Sequence, residues 1–134
     1  MFSIDERLEK GKFLIKNLSL CRVLLQDDSR FPWLVLVPCF SDVTEIYQLE
    51  PEQQHILIEE ISLVSKILQD YTKADKINVG AFGNVVPQLH IHIVARYKTD
   101  SAWPDPVIGL KGSAPYSSER KDQIISDLSR LLSF

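Results

Sequence analysis

Hydrophobic and polar residues alternate along the first part of the chain with a period of two, which predicts β-strands. Apolar side chains alternate over 20–26 and run continuously over 33–37, with a short polar turn between the two stretches. The short connection favours antiparallel pairing of these two strands. Residues 12–16 begin and end with lysine, a pattern that is typical of an edge strand.

The longest helix is predicted by apolar residues that recur at intervals of three and four. The stripe consists of Leu57, Ile61, Val64, Leu68 and Tyr71. It indicates a helix of about six turns, and Pro51 suits its first position. Ser117 or Ser118 can cap a final helix that reaches about Leu132. We also expect a short helical piece over 5–10 and one helical turn over 44–47.

Two further strands are predicted between these helices. Residues 75–82 alternate in polarity, and Gly83-Asn84 indicates the turn into a strand over 84–96. Residues 97–116 show no regular pattern and are expected to form a loop. Strands followed by helices in this order predict an α+β fold, with helices packed on an antiparallel sheet. We expect a single domain over 1–134.

Composition narrows the range of partners. The chain has 134 residues, 45% of them hydrophobic, and a formal net charge of −3. This charge argues against a nucleic-acid partner or an anionic membrane surface. No apolar run approaches the roughly 18–20 residues of a membrane span, and the N-terminus does not resemble a secretory signal. We therefore expect a cytoplasmic protein in which Cys21 and Cys39 are reduced.

Two of the three histidines lie in the predicted strand over 84–96. If the strand is regular, Gln88, His90, His92 and Val94 share one face. The rise of a strand separates neighbours on one face by roughly 6–7 Å. An amide and two imidazoles in an apolar run need hydrogen-bonding partners or a function.

Spacing alone leaves three interpretations of the two histidines. Both can be structural, both can bind a metal ion, or one can be a nucleophile beside a hydrogen-bond donor. The metal interpretation needs a third ligand. His55 falls on the polar face of the long helix, and the spacing of the other acidic residues does not indicate that any of them is a metal ligand. The nucleophile interpretation gains from a surface that suits phosphate and sugar groups, formed by Asn78, Gly80, Gly83 and Asn84.

The segment from Gln88 to Val94 resembles the signature of the histidine triad (HIT) family, in which three histidines alternate with apolar residues. The approach to the motif over 78–87 also resembles that family, as do Asp27-Asp28 with the strand over 33–38, and Trp103-Pro104. The resemblance covers roughly 5–110, leaving a loop and helix over 111–134. It implies a HIT-like fold with a sheet of about five antiparallel strands and one long helix packed on it.

The resemblance also implies an activity. HIT proteins hydrolyse or transfer nucleotidyl groups at the α-phosphate of nucleoside phosphoramidates and dinucleoside polyphosphates. The family's nucleophile, the middle histidine, maps to His90, which would form a covalent nucleotidyl-histidine. The last histidine maps to His92, which would hydrogen-bond the phosphate and protonate the leaving group. No cofactor and no catalytic metal are implied.

Binding roles follow from the same resemblance. Asn78, Gly83 and Asn84 map to positions that hold the phosphate or the leaving group, and either Asp27 or Asp28 maps to the ribose contact. Family members of this size are usually homodimers. The sequence does not specify the base, the leaving group or the physiological substrate.

The chain departs from the family at two positions. Gln88 replaces the first histidine of the motif, a member of the network that orients the nucleophile. Trp33 stands where some members carry a further histidine. Glutamine cannot become a cation, so two alternatives stay open. One is a nucleotide-binding or sensing protein with little turnover, and the other is a metal-binding domain that uses His90 and His92.

Overall fold

The computed structural model describes residues 1–133 and is built on one antiparallel sheet. The elements in chain order are α1 (Glu6–Glu9), β1 (Lys12–Asn17), β2 (Cys21–Gln26), β3 (Trp33–Pro38), a 3-10 turn (Ile46–Gln48), α2 (Pro51–Thr72), β4 (Lys76–Gly80), β5 (Ile91–Arg96) and α3 (Ser118–Leu131). The strands lie in the order β1-β2-β3-β5-β4, and each neighbouring pair is antiparallel. The predicted α+β class is confirmed.

The main core lies between α2 and one face of the sheet. The apolar stripe of α2 packs there against side chains of the central strands, and Ile124 and Leu128 of α3 join the same cluster. Pro51 occupies the first turn of α2, and Glu50 forms a capping box with Gln53. Burial of this stripe is the main reason that α2 is stable, because helix propensity alone is weak in water.

The opposite face of the sheet is partly covered by the N-terminal segment. Ile4 and Leu8 pack there against Leu24, Val35 and Val37. Asp5 caps α1 by accepting a hydrogen bond from the backbone N–H of Arg7. The first residues of the chain therefore lie over the face of the sheet that carries the two histidines.

The strand predicted over 84–96 is shorter than expected, since β5 begins only at Ile91. Pro87 has no backbone N–H to donate to a neighbouring strand, and the N–H of Leu89 donates to Val43 outside the sheet. Gln88 and His90 therefore precede the strand, and the regular alternation expected from Gln88 onwards holds only from Ile91. The strand predicted over 75–82 likewise ends at Gly80.

Two further expectations concern the thiols and the membrane. Cys21 and Cys39 are free thiols, and Cys21 is buried in the core. Within residues 1–133, every helix is either too short or too polar to cross a bilayer.

Candidate active site

His90 and His92 lie side by side at the start of β5. Their ring centroids are 5.0 Å apart, and the rings meet nearly edge to face. Both line a cavity of about 530 Å³ whose wall also includes Gly83 and Asn84. The structure therefore brings together four of the residues that the sequence singled out.

The backbone determines which nitrogen of His90 carries the proton. Nδ1 of His90 lies 2.7 Å from the carbonyl oxygen of Gln88. A carbonyl oxygen can only accept, so Nδ1 donates and Nε2 keeps its lone pair. Burial lowers the pKa of His90; the bond to Gln88 opposes this effect, and the charge of Lys12 adds to it. His90 is thus a neutral imidazole at pH 7 with a nucleophilic Nε2.

His92 has the opposite tautomer. Nε1 of Trp33 donates a hydrogen bond to Nδ1 of His92 at 3.0 Å. An indole N–H can only donate, so Nδ1 must accept and the proton of the neutral ring sits on Nε2. Burial lowers the pKa of His92 to about 4, helped by His90 and by Lys12. The two rings therefore offer a lone pair and an N–H group from their remaining nitrogens.

The side chain of Gln88 is bonded to the N-terminal segment. Its Oε1 accepts from the backbone N–H of Asp5 at 2.7 Å, and its Nε2 donates to the carbonyl of Ser3 at 3.0 Å. The contact with His90 comes from the backbone carbonyl of Gln88 alone. The carboxamide thus holds the segment that covers this face of the sheet.

Asn78 lies on β4 and lines a neighbouring cavity that also contains His92 and Phe82. Its Oδ1 accepts a hydrogen bond from Nη1 of Arg96 at 2.9 Å. Arg96 is 1% exposed, and its guanidinium is held by both carboxylate oxygens of Asp100. The amide group of Asn78 is therefore held in place by a buried ion pair.

Asp27 and Asp28 lie at the β2–β3 turn and line neither of these cavities. Asp28 is 2% exposed and forms a salt bridge with Arg30. Burial raises the pKa of Asp28, but hydrogen bonds from Arg30 and Ala114 outweigh it and hold the pKa below its ordinary value. Asp27 is partly exposed and accepts from the backbone N–H of Tyr116 at 2.9 Å.

Sequence reasoning did not identify several residues of this site. Lys12 and Arg7 line the cavity with the histidines, although the sequence shows them only as charges near the N-terminus. The contact between Trp33 and His92 spans 59 residues, so spacing could not show it. Arg96 and Asp100 are four residues apart, but they lie at the end of a strand and in the bend that follows it, so the helical spacing rule does not predict their ion pair.

Comparisons with known proteins identify the class. The model of the HIT domain family matches residues 7–99. Crystal structures of histidine triad proteins superpose closely. One from Sinorhizobium meliloti 1021 has a TM-score of 0.94 and 41% identity, covering 98% of this chain and 97% of that one. One from Bradyrhizobium japonicum has a TM-score of 0.95 and 42% identity, covering 98% of both chains.

A third histidine triad protein, from Marinobacter aquaeolei VT8, has a TM-score of 0.95 and 42% identity, covering 98% of this chain and 96% of that one. A comparison with curated proteins found no match. The chain belongs to the HIT family. Proteins of this family are generally nucleotide-binding hydrolases or transferases.

Proposed function

We propose that the protein hydrolyses or transfers a nucleotidyl group at the α-phosphate of a nucleoside phosphoramidate or a dinucleoside polyphosphate. The observation that supports this most is the pair of opposite tautomers in one cavity. Nε2 of His90 offers a lone pair, and Nε2 of the adjacent His92 offers an N–H. A nucleophile beside a donor is the arrangement that nucleophilic substitution at phosphorus needs.

In the proposed reaction, Nε2 of His90 attacks the α-phosphorus and forms a P–N bond. The bond from phosphorus to the leaving group breaks, and the leaving group departs with its electron pair, which gives a covalent nucleotidyl-imidazole. The positive charge that then develops on the ring is stabilised by the carbonyl of Gln88, which accepts from Nδ1. Water resolves the intermediate and releases the nucleoside monophosphate. His92 contributes a hydrogen bond to the phosphate or the leaving group.

The phosphate oxygens are proposed to bind Gly83, Asn84 and Asn78. The first two line the cavity of the histidines, and Asn78 lines the adjoining one. For the ribose hydroxyls we carry over Asp27 or Asp28 from the resemblance. Neither residue lines the two cavities; Asp28 is buried and paired with Arg30, and Asp27 is the carboxylate that is partly exposed. These roles follow the family resemblance.

The test is release of AMP from diadenosine triphosphate and from adenosine 5′-phosphoramidate, measured with and without a chelator. We expect release in both conditions. His90→Ala should abolish turnover and retain nucleotide binding, and an acid-labile nucleotidyl adduct should accumulate only when His90 is present. Release by His90→Ala at a rate near that of the wild type would disprove the assignment.

Binding with little turnover is the second candidate function. It is favoured by one observation: the side chain that replaces the first histidine is bonded to Ser3 and Asp5, so the triad has one member fewer. Tight binding of AMP without turnover would support this candidate.

A metal-dependent reaction would instead lose activity with the chelator. Within residues 1–133, no group of three or more His, Cys, Asp or Glu is placed to hold a metal ion.

We further propose that residues 1–134 form one domain that acts in the cytoplasm as a homodimer. β1 and β4 are the two edge strands of the sheet, and either edge could contact a second copy. Sedimentation or light scattering of the purified protein measures the oligomeric state directly.

A further inference from the structure

Trp33 and His92 occupy neighbouring central strands, so their contact is built into the sheet. In the pairing of β3 with β5, Val35 lies opposite His92 and Trp33 lies opposite Val94. The two rings are therefore diagonal neighbours, with centroids 5.6 Å apart and an edge-on geometry. This geometry directs Nε1 of Trp33 at Nδ1 of His92. Protonation of Nδ1 would place two N–H groups against each other.

The charged groups around His92 do not favour a positive ring. The cavities that His92 lines contain three basic side chains: Arg7 from α1, Lys12 from β1 and Lys76 from β4. Among the residues the structure describes, neither cavity has a carboxylate in its wall. Arg7 is paired with Asp5, and the remaining titratable neighbour is His90, 5.0 Å away.

We propose that Trp33 is a positioning residue that determines leaving-group specificity. It holds His92 as a neutral Nε2–H donor, so the site favours conjugates whose leaving group departs as an anion. A phosphate oxygen of a polyphosphate is such a group, whereas the basic amine of a phosphoramidate is not. This inference rests on the proposed function and selects between its two substrate classes.

Cleavage of a polyphosphate and cleavage of a phosphoramidate differ in whether the leaving group needs a proton. In cleavage of a polyphosphate, the lone pair of His90 forms a P–N bond, and the electrons of the broken P–O bond leave with the phosphate oxygen. His92 donates a hydrogen bond but keeps its proton, and the positive charge of Lys12 lies in the same cavity. Water then attacks phosphorus, the P–N electron pair returns to His90, and the proton of water passes to solvent.

Cleavage of an alkylamine phosphoramidate differs because the departing nitrogen must gain a proton as its bond to phosphorus breaks. Imidazolium would be a suitable donor, whereas a neutral imidazole is far too weak an acid. The indole N–H of Trp33 and the basic side chains both oppose formation of that imidazolium. The amine substrate is therefore expected to react slowly at neutral pH.

The kinetic test compares kcat/KM for diadenosine triphosphate and for an alkylamine phosphoramidate of AMP between pH 5 and pH 8. For the wild type, we expect a preference of about 100-fold for the polyphosphate at pH 7, the size of one general-acid contribution. Trp33→Phe keeps the aromatic packing and removes the N–H donor. Towards pH 5 this variant should gain about tenfold in kcat/KM for the amine substrate relative to that for the polyphosphate, because loss of the N–H donor lets more of His92 become protonated.

Tyr71→Phe is the matched control. It removes the aromatic donor to Asp127 from the core on the other side of the sheet, and it should leave the substrate preference unchanged. A wild type that cleaves both substrates equally well would overturn the specificity inference and leave the proposed function intact. A wild type that releases AMP from neither substrate would count against the proposed function instead.

A second measurement tests the tautomer without requiring turnover. Nitrogen chemical shifts of His92 should show a bare Nδ1 and a protonated Nε2 from pH 8 down to about pH 5. In Trp33→Phe the ring should become protonated at a higher pH and populate both tautomers. A protonated Nδ1 on His92 in the wild type at pH 7 would overturn the inference, whatever the kinetics show.

Discussion

The guanidinium of Arg96 determines which end of the Asn78 side chain can meet a ligand. Nη1 of Arg96 donates to Oδ1 of Asn78 at 2.9 Å. Because arginine has only donors, the amide oxygen must face it, and under the proposed function the NH2 group is the end that would meet a phosphate oxygen. Arg96 donates two further hydrogen bonds to the carboxylate of Asp100, at 2.8 Å and 3.0 Å, and these hold the guanidinium in place.

Asn78→Asp should weaken substrate binding with little loss of stability. The new carboxylate still accepts from Arg96, but it cannot donate to a phosphate and it repels the negative charge. We expect KM to rise about tenfold or more, the cost of losing a charge-assisted hydrogen bond. Steady-state kinetics and thermal unfolding measure the two effects separately. Asn17→Asp, at the exposed end of β1, is the control, and an equal rise in KM there would point to net charge alone.

Asp100→Asn should be strongly destabilising. Hydrogen bonds from Arg96 are the main reason that the pKa of Asp100 is lowered to about 2, and both side chains of the pair are at most 5% exposed. Removal of the negative charge leaves the guanidinium buried without a counter-ion, which costs about 3–5 kcal/mol in the free energy of unfolding. Asp70→Asn breaks the exposed pair with Lys66 and should cost less than about 1 kcal/mol. If urea unfolding shows that the two variants lose similar amounts of the free energy of unfolding, this account is contradicted.

Gln88→Ala should release the N-terminal segment without changing the tautomer of His90. The variant loses two partly exposed hydrogen bonds, to Ser3 and Asp5, together worth about 1–3 kcal/mol. The backbone carbonyl that accepts from His90 remains. Amide hydrogen exchange at Asp5 should therefore accelerate, while the nitrogen shifts of His90 stay as in the wild type. Gln69→Ala, on the exposed side of α2, is the control and should change neither the exchange at Asp5 nor the nitrogen shifts of His90. A changed His90 tautomer in Gln88→Ala would contradict the assignment of one role to the side chain of Gln88 and another to its backbone carbonyl.

His92 should make the fold sensitive to mild acid. Its pKa is about 4 in the folded protein against an ordinary value of 6.5, so the unfolded chain binds the proton more readily. The stabilisation is complete above about pH 6.5 and is lost as the pH falls through 4, and it amounts to at most about 3 kcal/mol. Denaturant unfolding at several pH values, compared with His92→Gln, measures it. If the free energy of unfolding changes with pH in the same way in both proteins, His92 is not the cause of the acid sensitivity.

Local signals account for the parts of the fold that the sequence predicts. The apolar stripe of α2, the pairing of β2 with β3 and the Ser117 cap of α3 each depend on residues near one another in the chain. Their side chains must be buried or capped in any compact fold, so periodicity and turn chemistry are sufficient to place them.

Contacts between distant parts of the chain account for what was not predicted. The start of β5 at Ile91 depends on Leu89 bonding to Val43, a loop residue with no pattern of its own. The roles of Trp33 and Lys12 depend on how the strands are ordered in the sheet, which a single sequence does not show. The orientation of Gln88 likewise depends on the N-terminal segment, 83 residues earlier.

That long-range hydrogen bond also orders events during synthesis on the ribosome. Arg7 and Lys12 emerge first, but the strand that carries the histidines sits in the middle of the sheet between β3 and β4. Until residues 88–96 leave the exit tunnel, the N-terminal segment lacks Gln88, to which it bonds, and β3 lacks its second neighbour. The wall of the cavity includes residues as late as Gly109, so the cavity cannot be complete until most of the chain has been translated.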